Sequence, residues 1–113
     1  MKYIVAVIQP DRLQETLDLL EQKEIHLVTV CNVMGRGRQK GVPEVYRSHT
    51  EAGNLLKKVK LEIAVNEAFV PATVEAITKG ARTGSVGDGK IFVLDMEQCI
   101  RIRTGETGGV AIG

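Results

Sequence analysis

Two stretches of this chain change hydrophobic rhythm in the same way, and about twenty residues with no rhythm lie between them. Tyr3 to Ile8 is a short apolar run rich in β-formers. Pro10 and Asp11 then supply the fixed φ and negative charge favoured in a helical first turn. Leu13, Leu17 and Leu20 recur at i, i+4 and i+7, with Glu15, Asp18 and Glu21 off that stripe, which predicts an amphipathic helix over 11–23. Leu27 to Met34 returns to a strand pattern. Residues 35–56 break it, because GRGRQKG is basic and glycine-rich, Pro43 interrupts, and Tyr46-Arg47-Ser48-His49-Thr50-Glu51 follows no amphipathic period. Val59, Leu61, Ile63 and Val65 then alternate with Lys58, Lys60, Glu62 and Ala64, as in a half-buried strand. A second helix follows, capped by Asn66 or opening near Pro71, with Val70, Val74, Ile77 and Ala81 as its stripe. Ile91 to Leu94 and Cys99 to Arg103 close the chain as strands. This order is that of the ferredoxin-like split βαβ fold, an α+β architecture with a four-stranded antiparallel sheet and two helices on one face. Few residues remain to cover the other face, so a second copy of the chain is the expected cover.

With 113 residues and 43% hydrophobic content, one domain over 1–113 is the expectation. Fifteen basic and fourteen acidic residues nearly cancel, so no global charge calls for nucleic acid or an anionic membrane. The distribution is uneven, however. Arg36, Arg38, Lys40, Arg47, Lys57, Lys58 and Lys60, opposed only by Glu44 and Glu51, place seven of the fifteen basic residues in one segment that invites an anion. Cys31 and Cys99 lack metal-ligand or disulfide-framework spacing and read as small buried hydrophobes. No apolar run is long enough to span a bilayer and no cleavage-type leader precedes Pro10, so the expected compartment is the cytoplasm.

Within this frame, Thr83 to Val93, TGSVGDGKIFV, is the segment with the clearest chemistry. Gly84, Gly87 and Gly89 permit positive φ and so allow successive N–H groups to converge on an anion, and Lys90 adds a full charge at the rim. The usual P-loop is excluded, because Ile91 stands where a hydroxyl would follow the lysine. Asp88-Gly89 is also an ordinary turn dipeptide. Arg101 and Arg103, if in a strand, point to one face and could meet one polyanion.

TGSVGDGKIFV, GRGRQKG and IRIRTGE together resemble the signature segments of PII signal-transduction proteins, and the resemblance runs over essentially the whole chain. It implies a ferredoxin-like homotrimer with ATP or ADP in clefts between subunits. It also implies 2-oxoglutarate taken up with Mg-ATP, and partner proteins regulated through a long T-loop at about 36–56, beside a B-loop at 82–90 and a C-terminal segment at 101–113. By the same resemblance Val7, Thr29, Gly35, Gly37, Arg38, Glu62, Ala64, Gly87, Asp88, Gly89, Lys90, Arg101 and Arg103 belong to the nucleotide site. Thr29, Glu62 and Ala64 fall at the adenosine end, and the two arginines come from the neighbouring subunit. Arg36, Gly37, Gln39, Lys40, Gly41, Lys58 and Gly87 correspond to the 2-oxoglutarate site. Gln39 would complete the shell of Mg2+, a hard cation that phosphate and amide oxygens suit.

The chain departs from the family pattern at four places, the first being Ala64, smaller than the more usual valine. Glu51 stands where many members carry the uridylylated tyrosine, His49 stands at the phosphorylated serine of others, and Arg36 replaces a common aromatic. Ligand occupancy is therefore the expected control. The implied partners are an ammonium transporter, a nitrogen-metabolism enzyme or a transcription regulator. Two other classes fit the sequence less well. A slow ATPase or phosphotransferase using the same pocket would need a nucleophile paired with a base, whereas His26 and His49 are isolated and Asp88 reads as a turn-former. A ferredoxin-like RNA-binding module would need stacking aromatics on paired strands, and Tyr3, Tyr46, Phe69 and Phe92 do not supply them.

Overall fold

The computed structural model describes residues 1–37 and 55–113. Strand β1 (Lys2–Ile8) leads through a 3-10 turn at Pro10–Arg12 into helix α1 (Leu13–Gln22), and β2 (Thr29–Gly35) follows. After the undescribed segment come β3 (Leu56–Val65), a second 3-10 turn (Glu67–Phe69), α2 (Val70–Ala81), β4 (Lys90–Asp95) and a short α3 (Gly109–Ile112). The sheet order is β2-β3-β1-β4 and every pairing is antiparallel. This is the ferredoxin-like arrangement. The register places Val7 opposite both Lys60 and Lys90, Tyr3 opposite Ala64, and Thr29 opposite Glu62.

The two-residue period of the strands decides which face is dry. Ile4, Ala6 and Ile8 of β1 and Val59, Leu61, Ile63 and Val65 of β3 turn toward the helices and are buried with Leu20, Ala76, Ile77 and Ala81. Removing this much apolar surface from water is the main favourable term for the fold, at about 25 cal/mol per Å2. The helix stripes differ in detail from the leucine and valine positions. The most deeply buried residues include Thr16 on α1 and Thr73 on α2, whose hydroxyls are satisfied by Arg12 O and Phe69 O at 2.8 and 2.7 Å. Small residues set the helix spacing. A Cβ at Gly80 would stand 2.6 Å from the Thr16 Cα, and the Arg12 Nε donates to the Gly80 carbonyl at 2.9 Å, so the two helices touch backbone to side chain there.

Three expectations are corrected. Asn66 makes no side-chain cap, because its Nδ2 donates instead to Gly109 O at 3.2 Å, while its backbone carbonyl accepts from Phe69 N at 2.9 Å. Cys31 and Cys99 are free thiols, but half-buried rather than buried. Cys99 to Arg103 is not a strand. Only Ile100 pairs, with Thr107, and the segment folds back on itself through Arg101 N to Glu106 O at 2.8 Å and Gly108 N to Cys99 O at 2.9 Å. The positive φ of Gly105 (75°) and Gly108 (82°) makes that reversal possible, so the closest backbone partners lie within the segment and not on a sheet edge. Among the described residues, no helix is long and apolar enough to cross a membrane.

Candidate anion-binding cleft and the family it belongs to

The cleft opens where β1 ends, β4 begins and β2 runs out toward the undescribed segment. It holds about 500 Å3 and is lined by Val7, Gly35, Arg36, Gly37, Lys58, Ser85 to Lys90 and Phe92. Nine of the residues expected in the nucleotide and 2-oxoglutarate sites meet here: Val7, Gly35, Arg36, Gly37, Lys58, Gly87, Asp88, Gly89 and Lys90. Arg38, Gln39, Lys40 and Gly41 lie outside the described residues, as do Tyr46 to Glu51.

The turn from Arg82 to Gly89 is built by local chemistry. Asp88 folds its carboxylate back to accept from Thr83 N at 2.8 Å and Gly84 N at 2.9 Å, and the Thr83 hydroxyl donates to its other oxygen. The Thr83 bond, foremost, holds the Asp88 carboxyl below its ordinary range. Asp88 is thus occupied as a latch. Its carboxylate is not a free base. Gly87 and Gly89 have φ of 102° and 101°, and a Cβ at Gly89 would lie 1.7 Å from the Val7 carbonyl oxygen. Only glycine lets the turn press this closely on β1.

Lys58 gives the cleft its charge. It projects from β3 into the pocket with 9% of its surface exposed, and burial lowers its pKa although Asp88 opposes the shift. Its Nζ donates to the Gly87 carbonyl at 3.1 Å, and among the described residues no carboxylate forms an ion pair with it. The Gln9 Nε2 donates to the same carbonyl at 2.8 Å. Gly87 is therefore held from two sides. With Arg36 and Lys90 on the same walls, three cations face a single carboxylate that is already engaged. Such a cleft favours an anionic ligand over water.

The remaining expected residues are elsewhere. Glu62 and Ala64 continue the Lys58, Lys60 row down the open face of the sheet, with Thr29 across from Glu62. Arg101 lies at the far end of β2. Its guanidinium is 3.7 Å from where a Gly113 Cβ would stand, and that Cβ would be 3.3 Å from Leu27. Thr29 to Gly35 spans about 20 Å of strand between that end and the cleft. Arg101 donates to Glu106 Oε1 at 2.6 Å and to Val110 O at 3.0 Å, and Ile102 beside it is 100% exposed. The expectation that the two arginines share one strand face is thereby corrected, since they sit on a self-bonded turn. Within one chain, Arg101 and the glycine-rich turn do not meet.

Gln9, Thr83, Phe92 and Glu106 were missed by sequence reasoning. Phe92 was within reach of it, because two residues after Lys90 in a strand is the same face. Gln9 and Glu106 act only through tertiary or hairpin contacts and carried no local signal. No cluster of three His, Cys, Asp or Glu suited to a metal occurs among the described residues. The cationic side chains of Arg36, Lys58 and Lys90 suit phosphate oxygens, which would in turn carry any Mg2+.

Comparison with known proteins agrees with this fold. The family model described as nitrogen regulatory protein P-II matches residues 1–106. The nitrogen regulatory protein GlnK1 of Methanosarcina mazei is 51% identical over 114 residues, covering 99% of this chain and 97% of its own. Nitrogen regulatory protein P-II 2 of Methanothermobacter thermautotrophicus is 48% identical, with 99% and 97% covered. Nitrogen regulatory protein P-II of Rhodospirillum rubrum is 46% identical over 99% of this chain and all of its own. These relatives are named as regulators, and matches of this extent leave no part of the described fold unaccounted for: the chain belongs to the nitrogen regulatory protein P-II family.

Proposed function

We propose that this protein is a cytoplasmic, homotrimeric sensor. It binds ATP or ADP in clefts between subunits and takes up 2-oxoglutarate with Mg-ATP. It passes the outcome to partner proteins through the segment 36–56. The observation that carries this reading is the buried Lys58, parked on a backbone carbonyl beside a glycine-rich turn with no carboxylate paired to it among the described residues. A ligand carboxylate is the natural replacement for that carbonyl, and the N–H groups of the turn with Lys90 are the natural partners of a polyphosphate. Arg101 and Arg103 would reach the phosphates from a neighbouring copy, which is supported by their separation from the cleft within one chain and by the bare Ile102 between them. The open sheet face, with Phe92 and Leu94 each 48% exposed, is the surface that the other copies would cover. Gln39 would add an amide oxygen to the magnesium shell. Ligand states then bias the loop by binding one conformation better than another. An ammonium transporter, a nitrogen-metabolism enzyme or a transcription regulator is the kind of partner such a loop would engage. With Glu51 in place of a modifiable tyrosine, occupancy is the main control.

Isothermal titration with ADP, ATP and Mg-ATP plus 2-oxoglutarate tests the reading. Lys90→Ala removes a charge-assisted contact of about 1.5 to 3 kcal/mol, so ATP affinity should fall roughly tenfold to hundredfold. Lys58→Ala should weaken 2-oxoglutarate binding and spare ATP. Unchanged affinities in both variants would remove this cleft from the function.

A further inference from the structure

Lys58 combines three properties that no other described lysine has together. It is the one buried cation among the described residues, no carboxylate among them pairs with it, and two further cations share its cleft. Lys2, Lys23 and Lys60 are ion-paired to Asp95, Glu75 and Glu62, while Lys57, Lys79 and Lys90 are exposed. The stem of Lys58 passes 3.5 Å from where a Cβ on Gly35, the residue before Arg36, would stand, and its Nζ ends on the Gly87 carbonyl at 3.1 Å. A carboxylate would hold the ammonium proton in place. A carbonyl accepts from a neutral amine as well, at about half the strength of the charged bond. Burial lowers the Lys58 pKa, and the opposing Asp88 carboxylate is itself latched to Thr83 and Gly84. The other charged groups around it are Arg36 and Lys90 on the cleft walls, and Lys57 and Lys60 beside it on β3.

We propose that Lys58 is a carbamylation site, which takes up carbon dioxide as a reversible carbamate and so turns the buried cation of the cleft into an anion. The ammonium first releases a proton to water. The free amine then attacks the carbon of carbon dioxide: a C–N bond forms, one C=O π pair moves onto oxygen, and a second proton leaves the nitrogen. Only the unprotonated amine reacts, so burial favours this lysine over the exposed and ion-paired ones. Carbon dioxide is small and uncharged and carries no leaving group, which suits an amine on a residue with 9% of its surface exposed. Arg36 and Lys90, on the walls of the same cleft, supply the counter-charge for the carbamate. Inverting a charge at this point changes what the cleft accepts. The consequence for 2-oxoglutarate rests on the ligand reading above, in which Lys58 would pair with a carboxylate. A carbamate repels that carboxylate, so carbon dioxide should weaken 2-oxoglutarate binding.

The test equilibrates the full-length protein with isotopically labelled carbon dioxide and bicarbonate and follows the carbamate carbon by NMR. The adduct is then trapped by alkylation with a trialkyloxonium salt and located by peptide mapping. It should fall on Lys58 in preference to Lys57 and Lys79, and at a fixed carbon dioxide pressure its occupancy should rise with pH as the amine loses its proton. Lys58→Arg should abolish the signal. Arg36→Gln should lower the occupancy about two- to fivefold by removing one partner of the carbamate. The mapping is made on the unaltered protein, so the outcome does not depend on either variant folding. An adduct absent from Lys58, or spread evenly over the exposed lysines, overturns this inference and leaves the ligand reading standing. In a second arm, 2-oxoglutarate titrated with Mg-ATP at constant pH and ionic strength should bind more weakly under carbon dioxide. An affinity that carbon dioxide does not change, with Lys58 carbamylated, overturns the antagonism. Failure of 2-oxoglutarate to bind under either condition overturns the ligand reading and leaves a mapped carbamate standing.

Discussion

The turn of the cleft and the C-terminal segment are both short, glycine-rich and carry basic residues, yet they are held in opposite ways. The turn from Arg82 to Lys90 is fastened to the sheet. Gly89 lies against the Val7 carbonyl, Gln9 and Lys58 grip the Gly87 carbonyl, and Lys90 is already the first residue of β4. The segment from Cys99 to Val110 is fastened mostly to itself, through the Ile100 and Thr107 bridge and the contacts of Arg101 with Glu106 and Val110. The difference teaches where a cation can be lent out. Lys90 belongs to its own chain's cleft, whereas Arg101 sits on a self-supporting arm at the other end of β2, where the proposed assembly would use it without cost to the core.

The same chemical change should therefore have unequal effects in the two regions. Gly89→Ala places a methyl group on the Val7 carbonyl at a φ that alanine resists, and is expected to cost about 3 kcal/mol or more in urea denaturation and to abolish ATP binding. If Gly89→Ala unfolds with an unchanged midpoint, the turn is not fastened as described. Arg101→Ala should leave stability within about 0.5 kcal/mol, as for a surface site, yet lower ATP affinity of the assembled protein roughly tenfold. A large loss of stability there would erase the distinction between the two regions. Gly109→Ala brings a Cβ within 2.7 Å of only the Asn66 Oδ1, the tip of a side chain that can turn away. The loss of the Asn66 bond to Gly109 O then sets the expected cost at about 1 kcal/mol or less.

The smallest expected effect is one of pH. Asp88 has a folded-state pKa below its ordinary value, so its contribution is present above that ordinary value and is lost as pH falls through the depressed one. Acid below the ordinary aspartate range should loosen the turn before the C-terminal segment, as seen by amide exchange at Gly84. The Asp88→Asn variant should show no such acid limb.

Much of the fold was legible because period and burial report the same physical fact. Alternation over 58–65 and the leucine stripe over 13–20 each mark one dry face, and the structure turns those faces together. The Cys99 to Arg103 segment misled for an instructive reason. Its alternation is that of a strand, but a strand also needs a partner edge, and the glycines at 105 and 108 offered a nearer one inside the segment. Asn66 misled likewise, since a capping residue is free to cap only if nothing else claims its amide. Of the candidate site, the glycine turn and the lysine at its rim could be read directly. The grip of Gln9 on Gly87 could not, because it joins residues 78 positions apart through a side chain with no periodic role.

By itself, the sequence determined the order of elements, the dry faces of the sheet and helices, and the glycines that permit an anion-binding turn, since these follow from local sterics and from the periods of strand and helix. Only the tertiary structure decided that Lys58 is buried in the cleft without a carboxylate partner among the described residues, that Asp88 is consumed as a latch, and that Arg101 stands about 20 Å of strand away from the glycine-rich turn. Those outcomes depend on which atoms from distant parts of the chain compete for the same donors and acceptors, and that competition is settled only when the backbone has closed around the core.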